Sequence, residues 1–171
     1  MGKITFIVGG ARSGKSSYAL TLAAKAKNPA FIATCEALDD EMAARIKRHR
    51  SERPKNWVTY EEPRRLARLA GTLPAGHDFI IIDCLTLFVS NMMHAKESPE
   101  IIEKETISAI AALKKRKGCS AIVSNEVGLG IVPDTKLGRK FRDIAGRINK
   151  IAAERSDRMV FMISGIPLRI K

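Results

Sequence analysis

The motif Gly-Gly-Ala-Arg-Ser-Gly-Lys-Ser occupies residues 9–16 and matches the pattern GxxxxGK[ST] at every fixed position. A β-branched apolar run at residues 4–8 precedes it and a helical pattern follows it, as a phosphate-binding loop requires. Its glycines allow the backbone N–H groups to surround phosphates, and the helix N-terminus adds positive potential. In such a loop Lys15 reaches the β- and γ-phosphates and the Ser16 hydroxyl ligates Mg²⁺. The motif therefore predicts a nucleoside triphosphate site.

Two acidic residues follow apolar strand patterns and are candidates for the same site. Asp83 comes directly after Phe-Ile-Ile-Ile, and Asn125-Glu126 follows the strand pattern at residues 119–124. Ligands of open α/β sheets bind beyond the carboxyl ends of the strands. Asp83 is predicted to hold Mg²⁺, directly or through water, although an aspartate can also simply end a strand. The role of Glu126 stays open.

A basic segment at residues 45–55 contains six lysines and arginines and a single histidine. On a helix, Arg45, His49 and Arg53 are four residues apart and form one stripe that could bind a polyphosphate. Neighbouring guanidinium groups favour the neutral imidazole, which has the lone pair that a nucleophile requires. The alternative is a half-buried histidine on a solvated basic helix, and these residues alone do not exclude it.

Strand and helix patterns alternate along the chain. Besides residues 4–8, strands are predicted at residues 30–34, 58–60, 78–83, 119–124 and 159–164, with a short extra strand at 168–171. Helices are predicted at residues 17–27, 39–53, 63–70, 98–117 and 134–155. Because the strands are continuous apolar runs, they predict a mostly parallel sheet with helices on both faces. We expect one α/β domain of the P-loop NTPase-like class over residues 1–171.

Composition and charge limit the classes of function. The 171 residues are 45% hydrophobic and carry a net charge of +12. No apolar run approaches the roughly 18 residues needed to span a bilayer, so we expect a cytoplasmic protein without a membrane span. Three widely spaced cysteines (Cys35, Cys84 and Cys119) predict neither a disulfide framework nor a zinc site. The charge suits polyphosphates; without aromatic residues among the basic ones, it does not predict nucleic-acid binding.

Several blocks of residues together resemble one enzyme family. They are the phosphate loop, Arg45-Ile46-x-x-His49 with Arg53-Pro54, Asp83-Cys84-Leu85-Thr86-Leu87, Asn125-Glu126-Val127-Gly128-Leu129-Gly130-Ile131-Val132-Pro133, and Phe141-Arg142-Asp143-Ile144-Ala145-Gly146-Arg147-x-Asn149. With these blocks, nearly the whole chain is similar to the bifunctional adenosylcobinamide kinase / adenosylcobinamide-phosphate guanylyltransferases of cobalamin biosynthesis. Some relatives have adjacent histidines where this chain has Arg48-His49, and many have tryptophan where it has Phe88.

The resemblance implies two successive transfers. ATP or GTP phosphorylates the aminopropanol hydroxyl of adenosylcobinamide, and GMP then passes from GTP to adenosylcobinamide phosphate through a GMP–histidine intermediate, releasing pyrophosphate. It implies that His49 is the nucleophile, that Lys15 is catalytic, and that Ser16 and Asp83 hold Mg²⁺. The implied nucleotide-binding residues are Gly9, Gly10, Ala11, Arg12, Ser13, Gly14, Lys15, Ser16, Ala33, Thr34, Cys35, Arg50, Ser51, Glu52, Arg53, Glu61 and Asp83. It also implies a homo-oligomer, since trimers are known in the family.

Two other functions remain as alternatives. A P-loop kinase of another small-molecule alcohol would phosphorylate its substrate without forming a covalent nucleotide, and His49 would then be structural. A nucleotide-dependent nucleic-acid-binding module would show affinity that falls steeply with salt. Reaction of the protein with GTP labelled at the α-phosphate distinguishes the bifunctional enzyme from both.

Overall fold

The computed structural model of the chain describes residues 2–36 and 57–171, together with the single residues Ala44, Lys47, Arg50 and Pro54. Its strands are β1 (Lys3–Gly9), β2 (Pro29–Ala33), β3 (Val58–Glu61), β4 (Phe79–Asp83), β5 (Cys119–Asn125), β6 (Arg158–Ile163) and β7 (Ile166–Arg169). They form one sheet in the order β3-β2-β4-β5-β1-β6-β7. All neighbouring strands pair in parallel except β6 and β7. The predicted mostly parallel sheet is confirmed.

Helices cover both faces of this sheet. The described part of the chain forms α1 (Lys15–Ala23), α2 (Leu66–Thr72), α3 (Leu85–His94), α4 (Pro99–Lys115) and α5 (Lys136–Arg155). Alternate strand residues enter two separate cores: Phe6 and Ile80 pack on the side of α2 to α5, whereas Ile7 and Ile81 pack on the side of α1. Since both faces are buried, the strands lack the alternating pattern of a half-exposed sheet.

Two carboxylates, one distant in sequence and one local, accept backbone hydrogen bonds where predicted boundaries differ from the structure. Helix α1 ends at Ala23 rather than at residue 27, and the Asp78 carboxylate accepts hydrogen bonds from the backbone N–H groups of Lys27 (2.8 Å) and Asn28 (3.0 Å). The predicted strand at 78–83 accordingly begins one residue later. Similarly, the Glu62 carboxylate accepts from the Arg64 and Arg65 N–H groups, and α2 begins only at Leu66.

Helix α3 has no counterpart in the sequence-based prediction. Its first five residues, Leu85–Val89, are apolar except for Thr86, and six residues of the helix are buried: Leu85, Thr86, Phe88, Val89, Asn91 and Met92. A helix buried around most of its circumference lacks the amphipathic period by which helices are recognised. Of the helix predicted at residues 39–53, Ala44, Lys47 and Arg50 are described and are helical; the rest lies outside the described residues.

Within the described ranges, no helix combines the length and the apolar character needed to cross a membrane.

Candidate nucleotide-binding site

The loop at residues 9–16 joins the end of β1 to the first residue of α1. Gly14 precedes the helix with a φ of 87°, a conformation that a residue with a Cβ adopts only at a cost. Lys15 is buried, and its ammonium group donates hydrogen bonds to the Gly10 carbonyl and, at 3.4 Å, to the Ser13 hydroxyl. The lysine therefore lies across the loop itself, at the N-terminus of α1, where positive potential favours a phosphate.

The end of β6 and the turn between β6 and β7 contact the phosphate loop. A Cβ on Gly9 would lie 2.5 Å from the carbonyl oxygen of Met162, so the close approach of β1 and β6 requires glycine there. The Gly165 N–H donates to the Ser13 carbonyl at 3.1 Å. These contacts hold the phosphate loop against the sheet from a part of the chain about 150 residues away in sequence.

Asp83 ends β4 on the side of the sheet that carries α1. Ile81, two residues earlier, packs in the core beneath α1, and alternate residues of a strand share a face. The sheet register places Asp83 opposite Ala33 on one side and Val123 on the other. Its half-buried carboxylate is therefore on the same face and at the same end of the sheet as the phosphate loop.

Thr34 joins the ends of β2 and β4. Its N–H donates to the Asp83 carbonyl at 3.1 Å, and its fully buried hydroxyl donates to the Cys84 carbonyl and accepts from the Cys84 N–H, each at 2.8 Å. The Asn91 amide donates to the Thr34 carbonyl at 2.7 Å and to the Pro63 carbonyl at 3.2 Å. The Thr34 hydroxyl thus fixes the backbone beside Asp83, a positioning role that sequence reasoning did not assign to it.

The ends of β2 and β3 bring further predicted residues to the same edge. Ala33 pairs with Asp83 on β4 and with Glu61 on β3, and Cys35 follows two residues beyond Ala33. Arg50 and Glu61, both predicted nucleotide contacts, form an ion pair at 3.6 Å between side chains that are about two-thirds exposed. An exposed pair of this kind adds little stability, so its value would lie in the orientation of the two groups.

Four predicted residues lie outside the described part of the chain: His49, Ser51, Glu52 and Arg53. The two remaining histidines are described. His77 is buried at the amino end of β4, and its ring contacts the Tyr60 hydroxyl (3.0 Å) and the Asn28 carbonyl (3.1 Å). His94 is exposed at the last residue of α3, about 14 Å along the helix from Leu85. Neither is at the carboxyl edge of the sheet.

Cys84 is next to Asp83, but its thiol is a poor candidate nucleophile. Burial and, as a smaller contribution, the neighbouring negative charge of Asp83 raise the pKa of Cys84 to about 12. The thiol is therefore protonated throughout the physiological pH range, and the thiolate is the form that reacts. Any covalent chemistry at this edge must use another residue.

The start of the segment after β5 adjoins the phosphate loop. The Glu126 N–H donates to the Gly9 carbonyl at 3.0 Å, and the Glu126 carboxylate accepts from the Gly128 N–H at 2.9 Å. The Thr86 hydroxyl accepts from the Asn125 N–H at 2.7 Å, and the Asn149 amide donates to the Asn125 carbonyl at 3.0 Å. Glu126 is thus part of a turn fixed against Gly9, which is a structural role for the second candidate acid.

Sequence reasoning assigned no role to Thr86, Asn91 or Asn149. All three are buried polar residues on helices, and each bonds to the backbone or to a side chain at the carboxyl ends of the strands. A buried polar group must be hydrogen-bonded, so a polar residue within an apolar helical face is the signal that could have identified them.

The oxygen-bearing side chains at this site suit a Mg²⁺ ion that binds together with a nucleotide. No group of three or more histidine, cysteine, aspartate or glutamate side chains that could hold a metal occurs among residues 2–36 and 57–171. Mg²⁺ usually keeps several waters and takes one or two protein ligands plus substrate phosphates. A hydroxyl at the second residue of α1 (Ser16) and a carboxylate at the end of β4 (Asp83) fit this arrangement.

The chain is similar to known proteins over nearly its whole length. The sequence model of the family described as "Cobinamide kinase / cobinamide phosphate guanyltransferase" matches residues 5–170. The bifunctional adenosylcobalamin biosynthesis protein CobU of Salmonella typhimurium is 41% identical over an alignment 177 positions long, which covers 96% of this chain and 98% of that protein. CobU of Escherichia coli is 38% identical with the same coverage. CobP of Pseudomonas aeruginosa is 39% identical, covering 96% and 95%.

A solved structure shows the same fold at low sequence identity. It is an ATPase from the type III secretion system of pathogenic bacteria, with a TM-score of 0.59 and 12% identity. The match covers 94% of this chain, which spans about half of the ATPase chain (51%). At this identity the likeness concerns the fold alone, and it confirms the predicted P-loop NTPase-like class.

Proposed function

The chain belongs to the cobinamide kinase / cobinamide phosphate guanyltransferase family, and from that membership we propose both of its activities for this protein. The enzyme phosphorylates adenosylcobinamide with ATP or GTP and then transfers GMP from GTP to adenosylcobinamide phosphate. The observation that supports this most directly is the family match over residues 5–170. The complete phosphate loop beside Asp83, at one edge of the sheet, supports triphosphate chemistry independently.

The first transfer needs positioning more than covalent chemistry. The acceptor hydroxyl attacks the γ-phosphorus in line, the bond from that phosphorus to the β–γ bridging oxygen breaks, and the nucleoside diphosphate leaves. Loop N–H groups and Lys15 bind the phosphates, and the Lys15 charge offsets negative charge that develops in the transition state. Ser16 and Asp83 would hold Mg²⁺, which when bound neutralises phosphate charge. The Thr34 and Asn91 bonds keep the backbone at Asp83 in place.

The second transfer needs a nucleophile, and we assign His49 to it. The neutral imidazole attacks the α-phosphorus of GTP, pyrophosphate leaves, and a phosphoramidate joins GMP to the ring. The phosphate of the acceptor then attacks the same phosphorus and releases the histidine. Cys84 and His77 do not compete for this role, because Cys84 is protonated and His77 is fixed at the opposite end of the strands.

We also propose that the protein is a homo-oligomer, as the trimers known in the family suggest. The β6–β7 hairpin exposes half or more of Ile163, Ile166, Leu168 and Ile170. The register places Ile166 opposite Ile163 and Leu168 opposite Phe161, so these side chains share one face of the sheet edge. Exposed apolar groups of this extent commonly mark a protein interface.

The function is tested by supplying the substrates of each reaction separately. With adenosylcobinamide and ATP, we expect a phosphorylated corrinoid and ADP; with adenosylcobinamide phosphate and GTP, adenosylcobinamide-GDP and pyrophosphate. Products are separated by chromatography. Phosphorylation without GMP transfer would favour the simple kinase. Faster turnover of another alcohol than of adenosylcobinamide would show that adenosylcobinamide is not the substrate.

Replacing Asp83 should alter the response to Mg²⁺. Asp83→Asn keeps the shape of the side chain but removes its charge, so we expect the Mg²⁺ concentration for half-maximal kinase activity to rise about tenfold and the maximal rate to fall. Asp143→Asn, an exposed change on α5, is the matched control. An Asp83→Asn enzyme that titrates with Mg²⁺ as the parent does would remove Asp83 from the metal site.

A further inference from the structure

The segment that follows β5 exposes apolar side chains for which the proposed chemistry has no use. Leu129, Ile131 and Val132 are 78%, 96% and 62% exposed, and Leu137 in the first turn of α5 is 64% exposed. We call residues 127–133 together with Leu137 the apolar loop. Side chains of this size are exposed as a group only rarely in a monomer, and such groups commonly bind a ligand or a partner.

The apolar loop is held in place at both ends. The Arg142 guanidinium donates to the Gly128 carbonyl, and the Arg139 guanidinium donates to the carbonyls of Pro133 (3.0 Å) and Asp134 (2.7 Å). The Thr135 hydroxyl accepts from the Gly138 N–H at 3.1 Å and caps α5. The backbone on either side of the apolar side chains is therefore fixed, which reduces the entropy lost when a ligand binds them.

The loop begins at the phosphate site. Asn125 is opposite Gly9 in the sheet, and the Glu126 N–H donates to the Gly9 carbonyl at 3.0 Å. Leu129 follows only three residues later. A ligand that rests on the apolar loop can therefore extend a short side arm to the phosphates bound by residues 9–16.

We propose that the apolar loop binds the aliphatic face of the corrin macrocycle of the acceptor and so determines which alcohol is phosphorylated. This inference rests on the proposed function. The acceptor combines a wide macrocycle, which carries methyl groups on its faces, with one hydroxyl-bearing side arm. A small alcohol needs no apolar surface of this extent beside the phosphate loop, whereas a corrinoid does.

The charge around the loop favours this occupant over a second copy of the chain. Lys136, Arg139 and Lys140 are exposed on the first two turns of α5, next to the apolar side chains. A contact with a second copy would bring this rim against a chain of net charge +12, which the repulsion between like charges opposes, and the homo-oligomer proposed above has the separate β6–β7 surface. The same rim attracts the acceptor once it carries a phosphate, so it suits both reactions.

Kinetics of the double variant Leu129→Ser/Ile131→Ser test the proposal. Both side chains are largely exposed, so folding should survive, and melting temperature verifies this. We expect KM for adenosylcobinamide to rise about tenfold, with KM for ATP unchanged, since the lost contact is to the acceptor alone. Equilibrium dialysis with adenosylcobinamide and no nucleotide should show the same loss. Val58→Ser is the matched control, because it also replaces an exposed apolar side chain, at the amino end of β3.

The outcomes distinguish a loop that binds the corrinoid from a loop with no role in acceptor binding and from a loop that contacts another subunit. Covalent labelling of the double variant by GTP should be normal, because that step needs no corrinoid. An unchanged KM and unchanged dialysis in a folded variant would overturn the proposal, and so would a fall in solution mass, measured by light scattering, without a change in KM. If the parent protein itself does not phosphorylate adenosylcobinamide, the proposed function fails rather than the loop.

Discussion

His49→Ala is expected to abolish GMP transfer while much of the kinase activity remains. In-line phosphorylation of an alcohol needs no protein nucleophile, whereas transfer through a covalent nucleotide does. Removing a nucleophile of this kind commonly slows the dependent reaction by about a thousandfold or more. The measurement is incorporation of label from GTP tagged at the α-phosphate, with no corrinoid present. The parent should carry a phosphoramidate that is labile to acid and resistant to base, and the variant should carry none.

His94→Ala provides the matched control for this experiment. His94 is exposed at the end of α3, away from the carboxyl edge of the sheet, so its removal should change neither reaction. His77 is unsuitable because both of its ring nitrogens have partners in the fold. Label that persists on His49→Ala would assign the nucleophile to another residue. An unlabelled parent with intact kinase activity would leave His49 a structural residue on a basic helix.

Lys15→Ala should instead weaken both reactions, because both use a nucleoside triphosphate at the same loop. Losing one preorganised charge that faces the developing negative charge costs about 100- to 1000-fold in rate, or roughly 3–4 kcal/mol of transition-state stabilisation. The variant also loses the bonds of the ammonium group to Gly10 and Ser13, so nucleotide affinity should fall with the rate. Steady-state kinetics of each transfer measure both effects.

The control for Lys15→Ala is the same substitution at a lysine outside the site. Lys25→Ala, just beyond the end of α1, removes an exposed lysine and should leave both rates unchanged. Melting temperatures of the two variants establish that each is folded. A folded Lys15→Ala protein with a near-normal kinase rate would contradict the assignment of Lys15 to the phosphates.

Local patterns in the sequence determined the class of the fold and the phosphate loop. Largely apolar runs at residues 4–8 and 79–82 predicted strands buried on both faces, because a parallel sheet covered by helices leaves no face to water. The loop was predictable because its glycines, its lysine and its terminal hydroxyl all lie within eight consecutive residues. Asp83 was predictable for a related reason, since a carboxylate directly after an apolar strand must lie at the edge where ligands bind.

Only the tertiary structure revealed what holds that site together. The bonds from Thr34 to Cys84, from Asn91 to Thr34 and from Asn149 to Asn125 join residues that are 24 to 57 positions apart in the sequence. No local pattern encodes such pairs, because each depends on which strands become neighbours in the sheet. Helix α3 likewise depends on tertiary packing. Burial on several sides removes the polar face that makes a helix recognisable, and only packing shows where that burial occurs.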